Sequence, residues 1–248
     1  MLNSRPLIAT AVVAVLVLAA NASALVPPPP KVAKAVAEAN RAARRGKPLL
    51  LEVTLTIGKG QPTAATGTLV SHPTGLARLE LKSNRGFVER HLLQGTAYTA
   101  SRDGKLIDRP RRFLPPVFLL QGRSGEALIA AMESFGIASD DGVLGRVEDY
   151  DCFVFGGRLP RQSVEAGGQL PSMWVDLDSF DVVRVDAAEG VRFRFGPAQD
   201  FSGIRVPRWI EIETRGHETA RLEILEASVA NAPAAAFNRD WLTAAGAR

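Results

Sequence analysis

Three histidines and one cysteine are the side chains best suited to catalysis or to binding a metal ion. They are His72, His91, His217 and Cys152. None of the histidines stands in an HExxH, His-x-His or Ser/His/Asp-like pattern. His217 and Glu218 are adjacent in sequence, so their side chains face opposite sides of a strand. We therefore interpret the histidines as surface residues and predict neither catalytic residues nor a metal site.

Two further stretches contain residue types that bind ions. The Gly-Lys-Gly segment at 58–60 is too short for a phosphate loop and no helix signal follows it, so it predicts a turn. The acidic residues between 140 and 151 lack the ligand spacing of a Ca²⁺ loop, which favours a solvated loop. Cys152 precedes Phe153 and other apolar residues, and this favours an inert buried thiol over a nucleophile. No cofactor is expected.

Residues 1–24 have the layout of an export signal. Arg5 is their only charged residue, an apolar stretch follows at 7–20, and Ala22 and Ala24 complete a small-x-small cleavage pattern. The apolar run is shorter than the roughly 20 residues that span a bilayer, so we expect cleavage after Ala24 rather than a retained anchor. The high content of Ala, Arg and Gly is typical of bacteria with GC-rich genomes. We expect a periplasmic protein.

The charge of the chain is mild. The net charge is +4, and the short basic clusters, at Arg41, Arg44 and Arg45 and again near residue 110, have no interleaved aromatic residues that could stack on bases. We interpret them as solvated faces. Nucleic acid is therefore not an expected partner.

Two helices are predicted. A stiff Pro-rich spacer at 27–30 precedes an Ala-rich helix over 31–45, and Gly46 and Pro48 end it. A second helix is predicted over 124–135, with Leu128 and Met132 on its apolar side. The predicted organisation is a spacer and helix at 25–48, followed by a single β domain at 49–248 with a helical insert around 110–170.

From residue 49 the apolar residues alternate with polar ones, which is typical of half-buried strands. Leu51, Val53 and Leu55 alternate with Glu52 and Thr54. Similar alternation recurs at 78–81, 183–185, 191–195, 210–213 and 221–224. The connections are short, so the strands must pair as hairpins. The fold class is mainly β with a few helices: a strongly curved antiparallel sheet, or half-open barrel, with helices plugging its concave face.

The inward-facing apolar residues of these strands are the candidate ligand-cavity residues. They are Val53, Leu55, Leu79, Leu81, Val183, Val185, Phe193, Phe195, Ile210, Ile212, Leu222 and Ile224. The alternation of apolar and polar residues alone does not distinguish an apolar pocket from a filled, dry core, and it predicts both equally well.

Two blocks of the chain resemble the LolA/LolB-like family, which includes outer-membrane lipoprotein-sorting carriers and the N-terminal domain of RseB-type regulators. The first runs from the strand at Gly67, through a strand with Arg78, to the turn at Asp103 and Gly104. The second comprises 173–178, 182–186, 201–207 and 209–213. The resemblance implies an apolar cavity for acyl chains, closed by a helical lid, and no catalytic residues. The segment 122–168 is longer than in a dedicated lipoprotein carrier.

Three functions follow from these patterns. The first is a periplasmic carrier or binder of the acyl chains of a lipoprotein or lipid, without enzymatic activity. Its partners would be an acylated protein or lipid and a protein of the inner or outer membrane, and the carrier would be a monomer. The second is an envelope regulatory or scaffold protein that uses the same fold to bind a protein. The third is a small exported hydrolase.

Overall fold

Fifteen strands form in the residues that the computed structural model describes, which are 26–40, 46–157 and 171–244. The predicted signal peptide lies outside these residues. The strands are β1 (Leu49–Ile57), β2 (Thr63–His72), β3 (Leu76–Ser83), β4 (Val88–Gln94), β5 (Ala97–Arg102), β6 (Lys105–Leu106), β7 (Gly142–Val147), β8 (Tyr150–Gly156), β9 (Ser172–Asp176), β10 (Val182–Ala187), β11 (Val191–Phe195), β12 (Ala198–Phe201), β13 (Ile204–Pro207), β14 (Trp209–Thr214) and β15 (Ala220–Val229).

Short helices accompany the strands. The α-helices of the described residues are α1 (Pro29–Ala39), α2 (Gly125–Ser134) and α3 (Asp240–Thr243). Single 3-10 turns are η1 (Val117–Leu120), η2 (Ala188–Gly190) and η3 (Ala234–Ala236). None of the helices in the described part of the chain has the length and apolar content to cross a membrane.

Thirteen of the strands form one antiparallel sheet that does not close. The chain runs as a meander from β1 outward to β6 at one edge. It then crosses to β7 at the opposite edge and returns through β8, β9, β10, β11, β14 and β15 to pair with β1. Strands β12 and β13 form a separate hairpin. The sheet therefore consists of two meanders joined at the pair β1 and β15.

The sheet is strongly curved, and its concave face holds the main core. One hydrophobic cluster contains Leu51 and Leu79 from the first meander together with Phe155 and Phe193 from the second. A single cluster that joins both meanders with the helices is consistent with a sheet that curves around one core. The predicted fold class is confirmed.

The helices fill much of this concave face. Val32 and Val36 of α1, Leu128 of α2 and all four residues of η1 belong to the main cluster. Helices α1 and α2 cross closely, since a Cβ on Gly125 of α2 would lie 3.1 Å from the backbone nitrogen of Lys34 in α1. The lack of a side chain at Gly125 allows this approach.

Helix α1 differs from its prediction at its start. It begins at Pro29, inside the predicted spacer, because proline is compatible with the first turn of a helix, where its missing N–H has no partner to lose. It ends at Ala39, and the predicted residues 41–45 lie outside the described residues. The second predicted helix is present as α2, with the Ser124 side chain accepting a hydrogen bond from the Ala127 N–H.

The segment 110–170, predicted as a helical insert, contains strands as well as a helix. Strands β7 and β8 form a hairpin here and extend the sheet at its far edge. The burial pattern of β8 differs from simple alternation, because the side chains of 152–156 are buried on both faces of the strand. A continuous apolar run of this kind does not reveal strand period. The predicted acidic loop is in part the turn of this hairpin.

A smaller hydrophobic cluster lies on the convex face. Phe237 and Leu242, from the C-terminal segment, pack there against Val70 and Leu92 of the sheet. The Arg78 guanidinium carbon lies 5.5 Å from the Phe237 ring centroid, within the range of a cation–π contact. The C-terminal segment thus covers the outside of the first meander.

The β7–β8 hairpin provides a test of the fold. Phe153 is fully buried and contacts the Phe155 ring at a centroid distance of 4.8 Å, so Phe153→Ala should lower the free energy of unfolding by about 3–5 kcal/mol. Leu144 pairs with Phe153 but is 46% exposed, and Leu144→Ala should change stability by less than about 0.5 kcal/mol. Urea denaturation measures both values. Equal effects of the two substitutions would contradict this hairpin.

Candidate functional site

The structure places eleven of the twelve candidate cavity residues in the main hydrophobic cluster. The exception is Val183, which is only half-buried. The pairing of β10 with β9 shifts register between Val182 and Arg184, so Val183 is the extra residue of a β-bulge. Val182 takes the buried position in its place, and Val183 does not belong to the main cluster.

Part of the concave face remains open as a groove of about 320 Å³. This groove lies at the end of the first meander where β1 ends and β2 begins. Its apolar walls come from Leu55 and Ile57 of β1, Leu81 of β3, and Ile107 and Phe113. Its full lining is Leu55, Ile57, Ala64, Ala65, Leu81, Ser83, Phe87, Glu89, Arg102, Ile107, Arg109, Arg111 and Phe113. Two of the twelve candidates, Leu55 and Leu81, thus line the groove.

The groove is bounded by residues 107–116, an irregular segment that we call the strap. The Ile107 N–H donates to the Ala100 carbonyl at 2.9 Å, which fixes the strap to β5. Farther along, Arg112 forms an ion pair of 2.8 Å with Glu189 in the turn between β10 and β11. Arg111 donates to the carbonyl of Glu218, in the loop between β14 and β15. The strap therefore spans the opening from one meander to the other.

A buried polar cluster holds the strap against the sheet. The Tyr98 hydroxyl accepts hydrogen bonds from the backbone N–H groups of Phe113 at 2.9 Å and Leu114 at 3.3 Å. The same oxygen lies 2.9 Å from Nδ1 of His91. Burial raises the pKa of Tyr98 well above its usual value, so the hydroxyl keeps its proton and can donate it to His91.

His91 is fully buried, which corrects its interpretation as a surface residue. Burial, with a smaller contribution from Arg102, lowers the pKa of His91 to about 3, and the ring is neutral near neutral pH. We assign its hydrogen to Nε2, which lies 3.3 Å from the Glu89 carboxylate, because Nδ1 then accepts from Tyr98. The sequence does not reveal this role, because Glu89, His91 and Leu93 have the two-residue spacing of side chains on one face of any strand.

Glu89 joins this cluster to the mouth of the groove. Its carboxylate is buried and lies 3.2 Å from Nη2 of Arg102. Burial raises the pKa of Glu89, and Arg102 acts in the opposite direction. The Arg102 guanidinium also lies over the Phe87 ring, 4.5 Å from its centroid. These two contacts orient Arg102 at the groove.

The remaining candidates for chemistry lie apart from one another. His217 is exposed, and His72 is half-buried, with Nδ1 2.7 Å from the Thr74 hydroxyl and a pKa lowered by burial. Cys152 is buried, and desolvation raises the pKa of its thiol to about 11, so the thiol is protonated near neutral pH. Within 26–40, 46–157 and 171–244, no three His, Cys, Asp or Glu side chains are grouped so as to hold a metal ion.

A second cavity, of about 400 Å³, lies between α2 and the turn after β2. Gln121 and Arg123 contribute polar groups to it, and its apolar side chains are alanines and one proline. Gln121 also accepts a hydrogen bond of 2.5 Å from Ser71. This cavity has no large apolar side chain in its lining, so the groove under the strap is better suited to an apolar ligand.

The fold is shared with a protein of known structure. The crystal structure of a DUF1329 family protein from Desulfovibrio piger matches with a TM-score of 0.50 and 14% sequence identity, over 87% of this chain and 100% of the other. At that identity the similarity is one of fold alone.

Two other solved structures match less well. A LolA superfamily protein from Nitrosomonas europaea has a TM-score of 0.48 and 11% identity, over 85% of this chain and 99% of the other. A domain proposed to be an outer membrane lipoprotein-sorting protein, from Vibrio parahaemolyticus, has a TM-score of 0.43 and 11% identity, over 86% and 98%. The chain matches no protein-family profile and no curated protein.

The Tyr98 cluster predicts a stability difference between the two tyrosines of the chain. Tyr98→Phe removes the acceptor for Phe113 and Leu114 and should lower the free energy of unfolding by about 1–3 kcal/mol. It should also speed hydrogen exchange at those two amides. Tyr150 is 45% exposed and supplies the control, Tyr150→Phe, whose effect should be below about 0.5 kcal/mol. Unchanged exchange in the strap would argue against the cluster.

The neutral state of His91 predicts a pH dependence of stability. Its pKa falls from 6.5 in the unfolded chain to about 3 in the fold, so below pH 6.5 the unfolded chain binds a proton that the folded chain does not. The contribution of His91 is therefore fully present above pH 6.5 and is lost as the pH falls toward 3, by up to about 1.4 kcal/mol per unit. Glu89, with a raised pKa, acts in the opposite sense.

The comparison of two variants isolates this effect. His91→Gln should flatten the rise in unfolding free energy between about pH 5 and pH 6.5, measured by urea denaturation at each pH. His217→Gln, at an exposed position, should keep the slope of the unaltered protein. If His91→Gln showed the same pH dependence of unfolding free energy as the unaltered protein, His91 would not be the neutral buried group described above.

Proposed function

We propose that the protein is a periplasmic binder and carrier of acyl chains, from a lipid or an acylated protein, and that it does not alter them chemically. The observation that supports this proposal is the groove under the strap. Its volume of about 320 Å³ is within the range of small-molecule sites, about 300–1,000 Å³, and apolar side chains form most of its walls. The resemblance of the sequence to lipoprotein-sorting carriers agrees with such a ligand.

The energetics of the groove suit a carrier. Each methylene buried against Leu55, Ile57 and Leu81 would contribute about 0.8 kcal/mol, before the cost of ordering the ligand. Affinity would then depend on chain length rather than on one polar contact. A chain held in this way is released when the apolar surface around it is disrupted.

The strap provides a means of release. One of its links to the second meander is the ion pair of Arg112 with Glu189, whose glutamate side chain is 70% exposed. The Arg112 side chain is only 16% exposed, so the link is a partly buried ion pair, and breaking it would leave Arg112 in need of another partner. The strap would open there only if this pair, the Arg111 contact and the adjacent contacts of Tyr98 with Phe113 and Leu114 were released together. A membrane partner protein that engages the strap could trigger release.

Adjacent residues of the β6–strap junction give a matched test. Ile107 lines the groove, and Ile107→Trp should fill it and weaken binding of a dodecyl chain by about tenfold or more, equivalent to losing two or more methylenes. Leu106 is 57% exposed, and Leu106→Trp adds the same side chain outside the groove. Displacement of a fluorescent apolar probe by dodecanol, with native mass spectrometry of the complex, measures binding.

Two results would contradict the proposal. One is that the unaltered protein, recovered without detergent, neither carries a lipid nor takes up dodecanol. The other is that Ile107→Trp and Leu106→Trp bind dodecanol equally well. Urea denaturation of both variants establishes that a loss of binding does not result from unfolding.

A further inference from the structure

The rim of the groove is cationic. Three guanidinium groups line it, those of Arg102, Arg109 and Arg111, and Glu89 is the only carboxyl group in the same lining. The walls behind them are apolar. A groove with apolar walls and a positively charged rim is complementary to a molecule with an apolar chain and an anionic end.

Contacts within the protein hold two of these arginines in place. Arg102 is oriented by Glu89 and by the Phe87 ring, and its side chain remains 54% exposed. Arg111 donates to the Glu218 carbonyl and lies over the Phe113 ring at 4.9 Å. Such contacts reduce the entropy that each guanidinium would lose on binding an anion.

These arginines retain hydrogen-bonding capacity. Nε of Arg111 is buried, and no described group accepts a hydrogen bond from it. Burial lowers the pKa of Arg111, while the nearby Glu218 carboxylate raises it. Arg109 is exposed and has no ion-pair partner within the described ranges. An anionic oxygen at the rim would therefore gain charge-assisted hydrogen bonds that a neutral group would not.

We propose that the groove selects amphiphiles with an anionic head group, a phosphate or a carboxylate, which Arg102, Arg109 and Arg111 bind while the chain lies over Leu55 and Leu81. This inference rests on the proposed function and specifies its ligand class. Glu89 neutralises part of the rim and positions Arg102. Three guanidinium groups against one carboxyl still favour an anion and disfavour a cationic head group.

Ligands of equal chain length test the head group. Dodecyl phosphate, dodecanol and dodecyltrimethylammonium should be compared as competitors of a fluorescent apolar probe, with inorganic phosphate as a further competitor. Dodecyl phosphate should bind about tenfold or more tightly than dodecanol, and the ammonium ligand more weakly than dodecanol. The preference should decrease with added salt, because salt screens the exposed guanidinium groups. Inorganic phosphate should not compete at the same concentration.

Arg109 is the best position for a variant. Arg102→Gln would leave Glu89 buried without its partner, and Arg111→Gln would break the contact with Glu218. Arg109→Gln breaks no described ion pair and should weaken the binding of dodecyl phosphate about tenfold more than the binding of dodecanol. Arg146→Gln, on the opposite edge strand β7 at a 68% exposed side chain, is the control and should have no effect.

The outcomes separate this inference from the proposed function. Equal binding of dodecyl phosphate and dodecanol would overturn the anionic selection and leave the acyl-chain proposal standing. Failure of both ligands to bind would overturn both. A preference that persists in Arg109→Gln would overturn the assignment to these arginines. Competition by inorganic phosphate at the concentration of dodecyl phosphate would mean that the rim binds a free anion rather than an amphiphile.

Discussion

The pairing of β1 with β15 is the interaction on which the remaining architecture depends. β1 pairs along its whole length with β15, from Leu49 opposite Val229 to Ile57 opposite Ala220, and it pairs with β2 on its other side. It therefore joins the two meanders, which are distant in sequence. Without this pairing each meander would expose an unpaired edge and half of an apolar face. With it, both faces contribute to one core.

Irregularities in this pairing shape the sheet. The register between β1 and β15 shifts at Glu52 and Val53, and Leu225 is the residue of β15 left without a partner. A bulge of this kind increases the local twist and bends a strand. Another bulge, at Val183, lies in β10 of the other meander. Both changes occur on strands whose apolar side chains face the core, which is consistent with a sheet that curves around it.

The curved sheet encloses more space than its helices fill, and this difference creates the groove. α1, α2 and η1 bury most of the concave face, while the strap covers the end of the first meander without filling it. The buried contacts of Tyr98 and His91 position the strap, and weaker surface contacts complete it. The same segment therefore supplies part of the apolar wall and part of the cationic rim, and both features support the proposed binding of an anionic amphiphile.

The convex face is stabilised by different interactions. Asp186 is buried and accepts hydrogen bonds from Arg184 at 2.5 and 2.9 Å and from Arg192 at 3.0 Å, and Ser172 donates to it at 3.2 Å. Removing Arg184 or Arg192 would leave the buried Asp186 carboxylate with one charged partner fewer, which costs more than an exposed ion pair contributes. On this face Trp174 and Trp209 are half-buried beneath arginine side chains, because alternation places them opposite the inward residues.

Outside the segment 110–170, the sequence alone determined most of the strands, their antiparallel hairpins and most of the inward residues, because strand period and turn residues are local properties of the chain. Tertiary structure decided the rest. The pairing of β1 with β15, the bulge at Val183 and the burial of His91 depend on residues far apart in sequence. The position of Arg109 and Arg111 at the groove could not be predicted either, because a short basic cluster has the same pattern on a solvated face as at the rim of a groove. Only the path of the strap across the sheet brings these guanidinium groups to the apolar walls formed by Leu55 and Leu81.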